Sequence, residues 1–186
     1  MFLSLPSGMD RLFKKHFDSF REKGLLPPEL NGVNAKLFSD MELLNVWRNN
    51  RKGIRYEDAD GNVISGAVDD VLVSGKKLIV LDYKTRGFAL KETTHEMYAH
   101  KMNVYNYLFR KNGYETEDFY YLLFYHPIEM KNTGEVIFQS DLLKLPVDIK
   151  AAEKLIKDAI HVLQSPMPNS SEDCAFCVWF STQKSI

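Results

Sequence analysis

Leu78-Ile79-Val80-Leu81 is an unbroken apolar run that ends in Asp82-Tyr83-Lys84, and it constrains the fold more than any other stretch. A strand sends successive side chains to opposite faces, so one that is half exposed alternates polar and apolar residues. A continuous apolar run, entered from the turn signal Ser74-Gly75, reads instead as a strand covered on both faces. Such a strand sits inside a sheet with helices on either side.

The rest of the chain supplies the layers. Residues 8–22 carry Met9, Leu12, Phe13, His16, Phe17 and Phe20 at spacings of three and four, an amphipathic helix with Ser7 as N-cap and Gly24 as stop. A second short helix is expected from Ser39, which with Glu42 has capping-box spacing ahead of Leu43, Leu44, Val46 and Trp47. Residues 54–57, 63–73 and 77–84 are rich in β-branched side chains and are separated by turn signals, as in a three-strand meander. Residues 93–111 return to helical spacing, 119–125 and 135–138 read as strands, and 148–164 as a closing helix. The order predicts an α/β fold with a mixed β-sheet flanked by helices. It fits one domain over 1–186, with a Cys-containing C-terminal tail from about 165.

At 186 residues the chain can bury a core without disulfides or metals as staples. A formal net charge of -1 excludes strong global attraction to a polyanion but leaves a local basic groove open. Cys174 and Cys177 are too few for a disulfide scaffold. The apolar stretch at the N-terminus is shorter than a signal peptide needs, and no window approaches the roughly 20 apolar residues that span a bilayer. The expectation is a cytoplasmic protein without a membrane segment.

The chemistry concentrates in Gly66-Ala67-Val68-Asp69-Asp70 and Leu81-Asp82-Tyr83-Lys84-Thr85. Strand alternation puts Asp82 and Lys84 on one side and Tyr83 on the other. A neighbouring strand lies about 5 Å away, which brings Asp69 within reach of the same point. Two carboxylates there, with the backbone carbonyl of Tyr83 as a third oxygen, suit a hard cation such as Mg2+ or Mn2+. Lys84 beside the ion would position a water or neutralise charge growing on a phosphate. Burial lowers the pKa of such a lysine and the carboxylates raise it, so sequence leaves its protonation state open. The plainer reading is a surface ion pair worth less than about 1 kcal/mol. Context argues against it, because the pair ends an apolar central strand next to a second Asp-bearing turn.

Gly-X-Val-Asp over 66–69, about a dozen residues, then Leu-Asp-Tyr-Lys-Thr over 81–85 resembles motifs II and III of the RecB-like branch of the PD-(D/E)XK nucleases. That branch includes CRISPR-associated RecB-like exonucleases and the nuclease domains of recombination helicases. The resemblance implies a restriction-endonuclease-like core, Asp69 and Asp82 as metal ligands and Lys84 as the catalytic lysine, with Asp70 ranked behind them. The following helix in that family carries Gln, three residues, then Tyr. Tyr105 matches the Tyr, or is a core aromatic. Lys101 stands where the Gln is expected and cannot copy an amide's donor-and-acceptor pattern. The family often adds a His or Glu from the first helix, for which His16 is the candidate and Asp18, Glu22 and Glu29 the competitors. A lone His on an apolar face is otherwise a satisfied core residue.

Cys174-Ala175-Phe176-Cys177-Val178-Trp179 resembles the end of the cysteine cluster that binds iron–sulfur in some relatives. Four ligands are needed, so a four-cysteine iron–sulfur cluster within one chain is excluded. A remnant is the favoured reading, beside a metal shared between two chains or an ordinary buried pair.

Basic residues follow the same elements: Lys14, Lys15, Arg21 and Lys23 in the first helix, Arg48, Arg51, Lys52 and Arg55 around the second, then Arg86, Lys91 and Lys101. Arg86, Lys91 and Lys101 are the candidates for phosphate contact, against the alternative of solvated helix faces. These features predict a Mg/Mn-dependent deoxyribonuclease acting on DNA, with a helicase or a CRISPR or phage recombination system as the partner the resemblance suggests. Two rivals stand beside it: a catalytically reduced nucleic-acid-binding or scaffold protein on the same fold, and an enzyme of other chemistry that shares only an Asp-X-Lys strand.

Overall fold

The computed structural model describes residues 5–183. It divides into two compact units, one up to Glu153 and one from Lys154. The first holds a sheet of five strands in the order β1-β4-β5-β6-β7. These are β1 (Lys36–Leu37), β4 (Asp70–Ser74), β5 (Lys77–Thr85), β6 (Phe119–Met130) and β7 (Val136–Pro146). All neighbours are antiparallel except β5 and β6, which run parallel with Asp82 opposite Leu122 and Lys84 opposite Phe124. A parallel pair needs a long crossover, and helix α3 (Glu96–Lys111) supplies it. The result is a mixed α/β sandwich with β5 at its centre, as the apolar run predicts.

Helix α1 (Leu5–Arg21) covers one face of the sheet. Its Phe13 and Phe17 pack among Leu72, Ile79, Leu81, Tyr83, Leu123 and Tyr125, with Phe13 stacked on Tyr125 at 3.9 Å between ring centres. Full burial of such side chains is worth about 1.5–3 kcal/mol each, so this layer fixes the register of α1 against β5. Alternation leaves Leu78, Val80, Asp82 and Lys84 for the opposite face, on the side of α3. Helix α1 stops at Gly24, which takes φ +67 while Leu25 N–H returns to the Phe20 carbonyl at 3.0 Å. It starts before the expected N-cap, so Ser7 lies inside the helix.

Several expected boundaries move. Helix α2 (Met41–Trp47) is capped by Asp40, whose carboxylate accepts from Leu43 N–H at 3.0 Å, and not by a Ser39–Glu42 box. The expected meander is two separate pieces. Strands β2 (Ile54–Glu57) and β3 (Val63–Gly66) form their own two-stranded sheet, while β4 and β5 belong to the main one. The break falls at 67–69, where Val68 N–H donates to the Trp47 carbonyl and Arg48 Nε to the Asp69 carbonyl. Those bonds tie the connection to the end of α2 and take it out of both ladders. Strands β6 and β7 run well past their apolar segments, through a register shift between Pro127 and Glu129.

The second unit contains the end of α4 (Ile149–Gln164) and a short helix α5 (Ala175–Gln183) within the stretch read as a tail. Among the described residues no helix is long and apolar enough to cross a membrane.

Candidate active site

The carboxyl end of β5 gathers the residues singled out by the Asp-X-Lys pattern. Asp82 is fully buried, and both its oxygens are engaged. Lys84 Nζ donates to Oδ2, and Lys101 Nζ donates to Oδ1 at 3.0 Å. Lys84 also reaches the Tyr83 carbonyl at 3.1 Å. Asp69, on the turn entering β4, accepts the Tyr83 backbone N–H on Oδ2 at 3.0 Å. Its carboxylate therefore sits against the peptide that joins Asp82 to Tyr83. Lys14 of α1 closes the ring, with Nζ 3.6 Å from Asp69 Oδ1 and 2.9 Å from Asp10 Oδ2.

Burial pushes the Lys84 ammonium down to about 8, and the Lys101 charge adds to that shift. Asp69 and Asp10 pull the other way without cancelling it. Lys84 is thus a group that gives up a proton near neutral pH far more readily than a solvated lysine. A cleft of about 500 Å³ opens beside it, bordered by Ser7, Asp10, Phe13, Asn50, Tyr83 and Thr85.

Asp70 points to the other face, as alternation requires, and is wholly occupied there. Arg21 Nη2 donates to both its oxygens at 2.7 and 2.8 Å, Arg48 Nη2 to one at 2.9 Å, and the Tyr83 hydroxyl to one at 2.6 Å. Arg48 in turn holds Asp18 through Nη1 at 2.9 Å. Burial, then the Asp70 charge, pushes the Tyr83 phenol well above its usual range. The network commits the Arg21 and Arg48 guanidinium groups, counted among the basic residues of the first two helices, to Asp70 and Asp18. It also links the two faces. The phenol of Tyr83 is pinned under α1, while its backbone presents N–H and C=O toward Asp69 and Lys84.

The remaining candidates are distributed around this centre. Tyr105 lies beneath the Lys101 ammonium, 5.2 Å from ring centre to Nζ, and its burial raises its pKa against the lowering effect of Lys101. Arg86 donates its backbone N–H to the Tyr125 carbonyl, and its Nε is buried without a partner among the described residues. Lys91 is exposed, with its backbone bonded to Thr94. His16 Nε2 lies 3.2 Å from Glu29, which also accepts from the Tyr125 hydroxyl at 2.9 Å. Cys177 N–H donates to Cys174 Sγ at 3.4 Å in the second unit. Asp10, Lys14 and Tyr98, whose ring lies 5.0 Å from Lys84 Nζ, were not singled out as site residues from sequence. The i, i+4 pair Asp10–Lys14 is the available signal, masked by the stronger apolar stripe of the same helix.

Among the described residues no three His, Cys, Asp or Glu side chains converge on one point. The oxygen donors around Lys84 and the Tyr83 backbone are the Asp82 carboxylate, the Tyr83 carbonyl and, on the Tyr83 N–H, the Asp69 carboxylate, a hard set without sulfur or imidazole. Three ammonium groups bond to or lie against these acceptors, occupying positions a cation of higher charge would compete for. Both observations fit a hard divalent ion that takes most of its shell from water and a phosphate.

The solved structure described as "Crystal structure of SSO0001" aligns with 95% of this chain and 70% of its own, at 16% identity and a TM-score of 0.42. A search of curated proteins gives no match. The sequence model of the PD-(D/E)XK nuclease superfamily matches residues 5–181, nearly the whole chain. A family of nucleases that typically work with divalent metals agrees with the fold and with the oxygen donors at the end of β5, and the chain belongs to the PD-(D/E)XK nuclease superfamily.

Proposed function

We propose that the chain is a Mg2+- or Mn2+-dependent deoxyribonuclease of the RecB-like branch, with Asp69, Asp82 and the Tyr83 carbonyl as the protein ligands of the ion. The observation that carries this reading is the Tyr83 peptide with Asp69 on its N–H and Lys84 on its carbonyl, beside the buried Asp82. When bound, the ion would polarise the scissile phosphate and lower the pKa of an attacking water.

The chain's own groups do the rest. Lys84, with its pKa depressed, holds the water in line and takes up or returns a proton at Nζ. Lys101 is half exposed, so it can leave Asp82 Oδ1 for a phosphate oxygen while remaining over Tyr105. Tyr105 then orients that lysine and the strand it touches. Arg86 and Lys91 follow β5 and meet the flanking phosphates; the unpaired Nε of Arg86 is a donor in want of an acceptor. His16 joins the metal shell only by leaving Glu29, while Asp10 shares Lys14 with Asp69.

A second reading, a nucleic-acid-binding or scaffold protein of reduced activity, is favoured by one contact: Lys101 occupies Asp82 Oδ1, where an amide was expected. Labelled linear and circular DNA, incubated with Mg2+ or Mn2+ beside EDTA and a Lys84→Ala control, separates the two. Metal-dependent cleavage that disappears in Lys84→Ala supports the nuclease. Metal binding without cleavage of either substrate supports the second reading.

A further inference from the structure

Beside the metal-binding end of β5, helices α1 and α2 enclose an open groove of about 570 Å³ that the candidate site does not include. Arg11, Lys14, Lys15 and Ser19 line it from α1, Asn45 from α2 and Arg48 from just past the end of α2. Arg11, Lys15 and Ser19 repeat at four-residue spacing, so they form one row along the helix. Arg11 and Lys15 are exposed. No salt bridge or side-chain hydrogen bond accompanies them among the described residues, although acids are near. Asp18 at the groove floor is already held by Arg21 and Arg48. Glu22 stands at the far end of the row.

Two cations with no partner among the described residues thus flank a groove whose nearest acid is neutralised. Lys14 joins this groove to the active site, because it lines the groove and also approaches Asp69 at 3.6 Å. The lining contains no aromatic ring. A surface that reads bases on single strands uses aromatic platforms, whereas Lys, Arg, Asn and Ser meet phosphate and sugar oxygens.

We propose that the α1–α2 groove is the seat of the nucleic-acid backbone flanking the scissile phosphate, with Arg11 and Lys15 as phosphate ligands and Lys14 as the step between groove and metal. Its role rests on the nuclease reading, but its binding does not require the metal. The groove recognises the polyanionic backbone without reading sequence. It accounts for how a chain of net charge -1 concentrates a polyanion on one face.

The test is fluorescence anisotropy on the full chain in EDTA, with labelled DNA and RNA oligonucleotides of two base compositions over a range of salt. Wild type is compared with Arg11→Glu/Lys15→Glu, with Arg11→Gln/Lys15→Gln, and with Lys76→Glu on the exposed turn at the far end of the β4–β5 hairpin. Loss of two phosphate contacts reduces the slope of log K against log salt by roughly 1.4–1.8 and weakens binding at least tenfold at low salt. The Gln pair shows the slope change without charge reversal, Lys76→Glu binds like wild type, and base composition has no effect. Wild-type affinity and slope in the Glu pair overturn the proposal, as does binding that follows base composition or an equal loss in Lys76→Glu. Because no metal is present, these outcomes are independent of whether the protein cleaves. Absence of metal-dependent cleavage in wild type would strike the nuclease reading alone.

Discussion

Tyr83 shows how one strand residue serves both faces of a sheet. Its phenol completes the shell of Asp70 under α1, and its peptide atoms contact Asp69 and Lys84. Asp70→Ala would leave Arg21 and Arg48 without their buried carboxylate, sharing only the partly exposed Asp18. Breaking a buried pair on one side costs about 3–5 kcal/mol, and chemical denaturation should show a loss of that size. Tyr83→Phe removes only the 2.6 Å hydroxyl bond, and a loss of about 1–3 kcal/mol with the fold retained is expected. A Tyr83→Phe protein as unstable as Asp70→Ala would contradict that division. On the other face, Lys101 occupies Asp82 Oδ1, which the proposed ion would need. Lys101→Gln should bind Mg2+ about fivefold more tightly by calorimetry, since one charge at a half-exposed position is worth about 1 kcal/mol. Unchanged affinity would mean that Lys101 does not hold the metal's place. The faces of Asp69, Asp70, Asp82 and Lys84 were legible in sequence because strand period is strict. Asp10 and Lys14 were not, because a helix offers several faces and only the apolar one announces its direction.

Elements were legible where their hydrophobic period is long and blurred where tertiary contacts set their ends. Helices α1, α3 and α4 and strands β2 and β5 lie close to where periodicity puts them. Strand β1 has two residues and exists through its pairing with Val73 and Leu72, which no local pattern announces. The cap of α2 moved from Ser39 to Asp40 because either side chain can cap and only the packed helix decides. Strands β3 and β4 separated because α2 draws residues 67–69 aside. The separation brings β3 against α3, where Gly66 leaves space for Tyr105. A Cβ at Gly66 would lie 2.6 Å from Tyr105 Cε1 and 2.9 Å from Cδ1. Gly66→Ala must therefore displace the ring, at about 1–3 kcal/mol of overpacking strain. Because Tyr105 lies under Lys101, the same substitution should also reduce cleavage with metal binding preserved. A variant with wild-type melting and turnover would show that the ring yields freely and positions nothing.

At the scale of the whole molecule, the near-neutral net charge conceals groups whose ionisation the fold opposes in contrary directions. Burial and the Lys101 charge push the Lys84 ammonium down to about 8 from the ordinary 10.5. Between those values the unfolded chain binds more protons at this site than the folded one, so its contribution to stability rises with pH. The buried phenols act with the opposite sign. Burial is the first cause in each of Tyr83, Tyr105, Tyr120, Tyr121 and Tyr125, with Asp70 and Glu29 adding to it at Tyr83 and Tyr125. Their folded pKa values stand above the ordinary value of 10.0, so their contribution is complete below that value and is lost as pH climbs past it. Stability measured in chelator should therefore climb from pH 8 in wild type, without the Lys84 share of that climb in Lys84→Met, and fall in both proteins above about 10. Phenolate absorbance followed beside circular dichroism gives the decisive reading. A part of the tyrosine signal should appear only as the dichroism collapses, because Tyr83 cannot ionise against Asp70 while the network stands. If every phenol titrated in one reversible step near 10 with native dichroism, the buried Tyr83–Asp70–Arg21–Arg48 network would not exist as described, and the anchoring of the Tyr83 peptide beneath the candidate site would go with it.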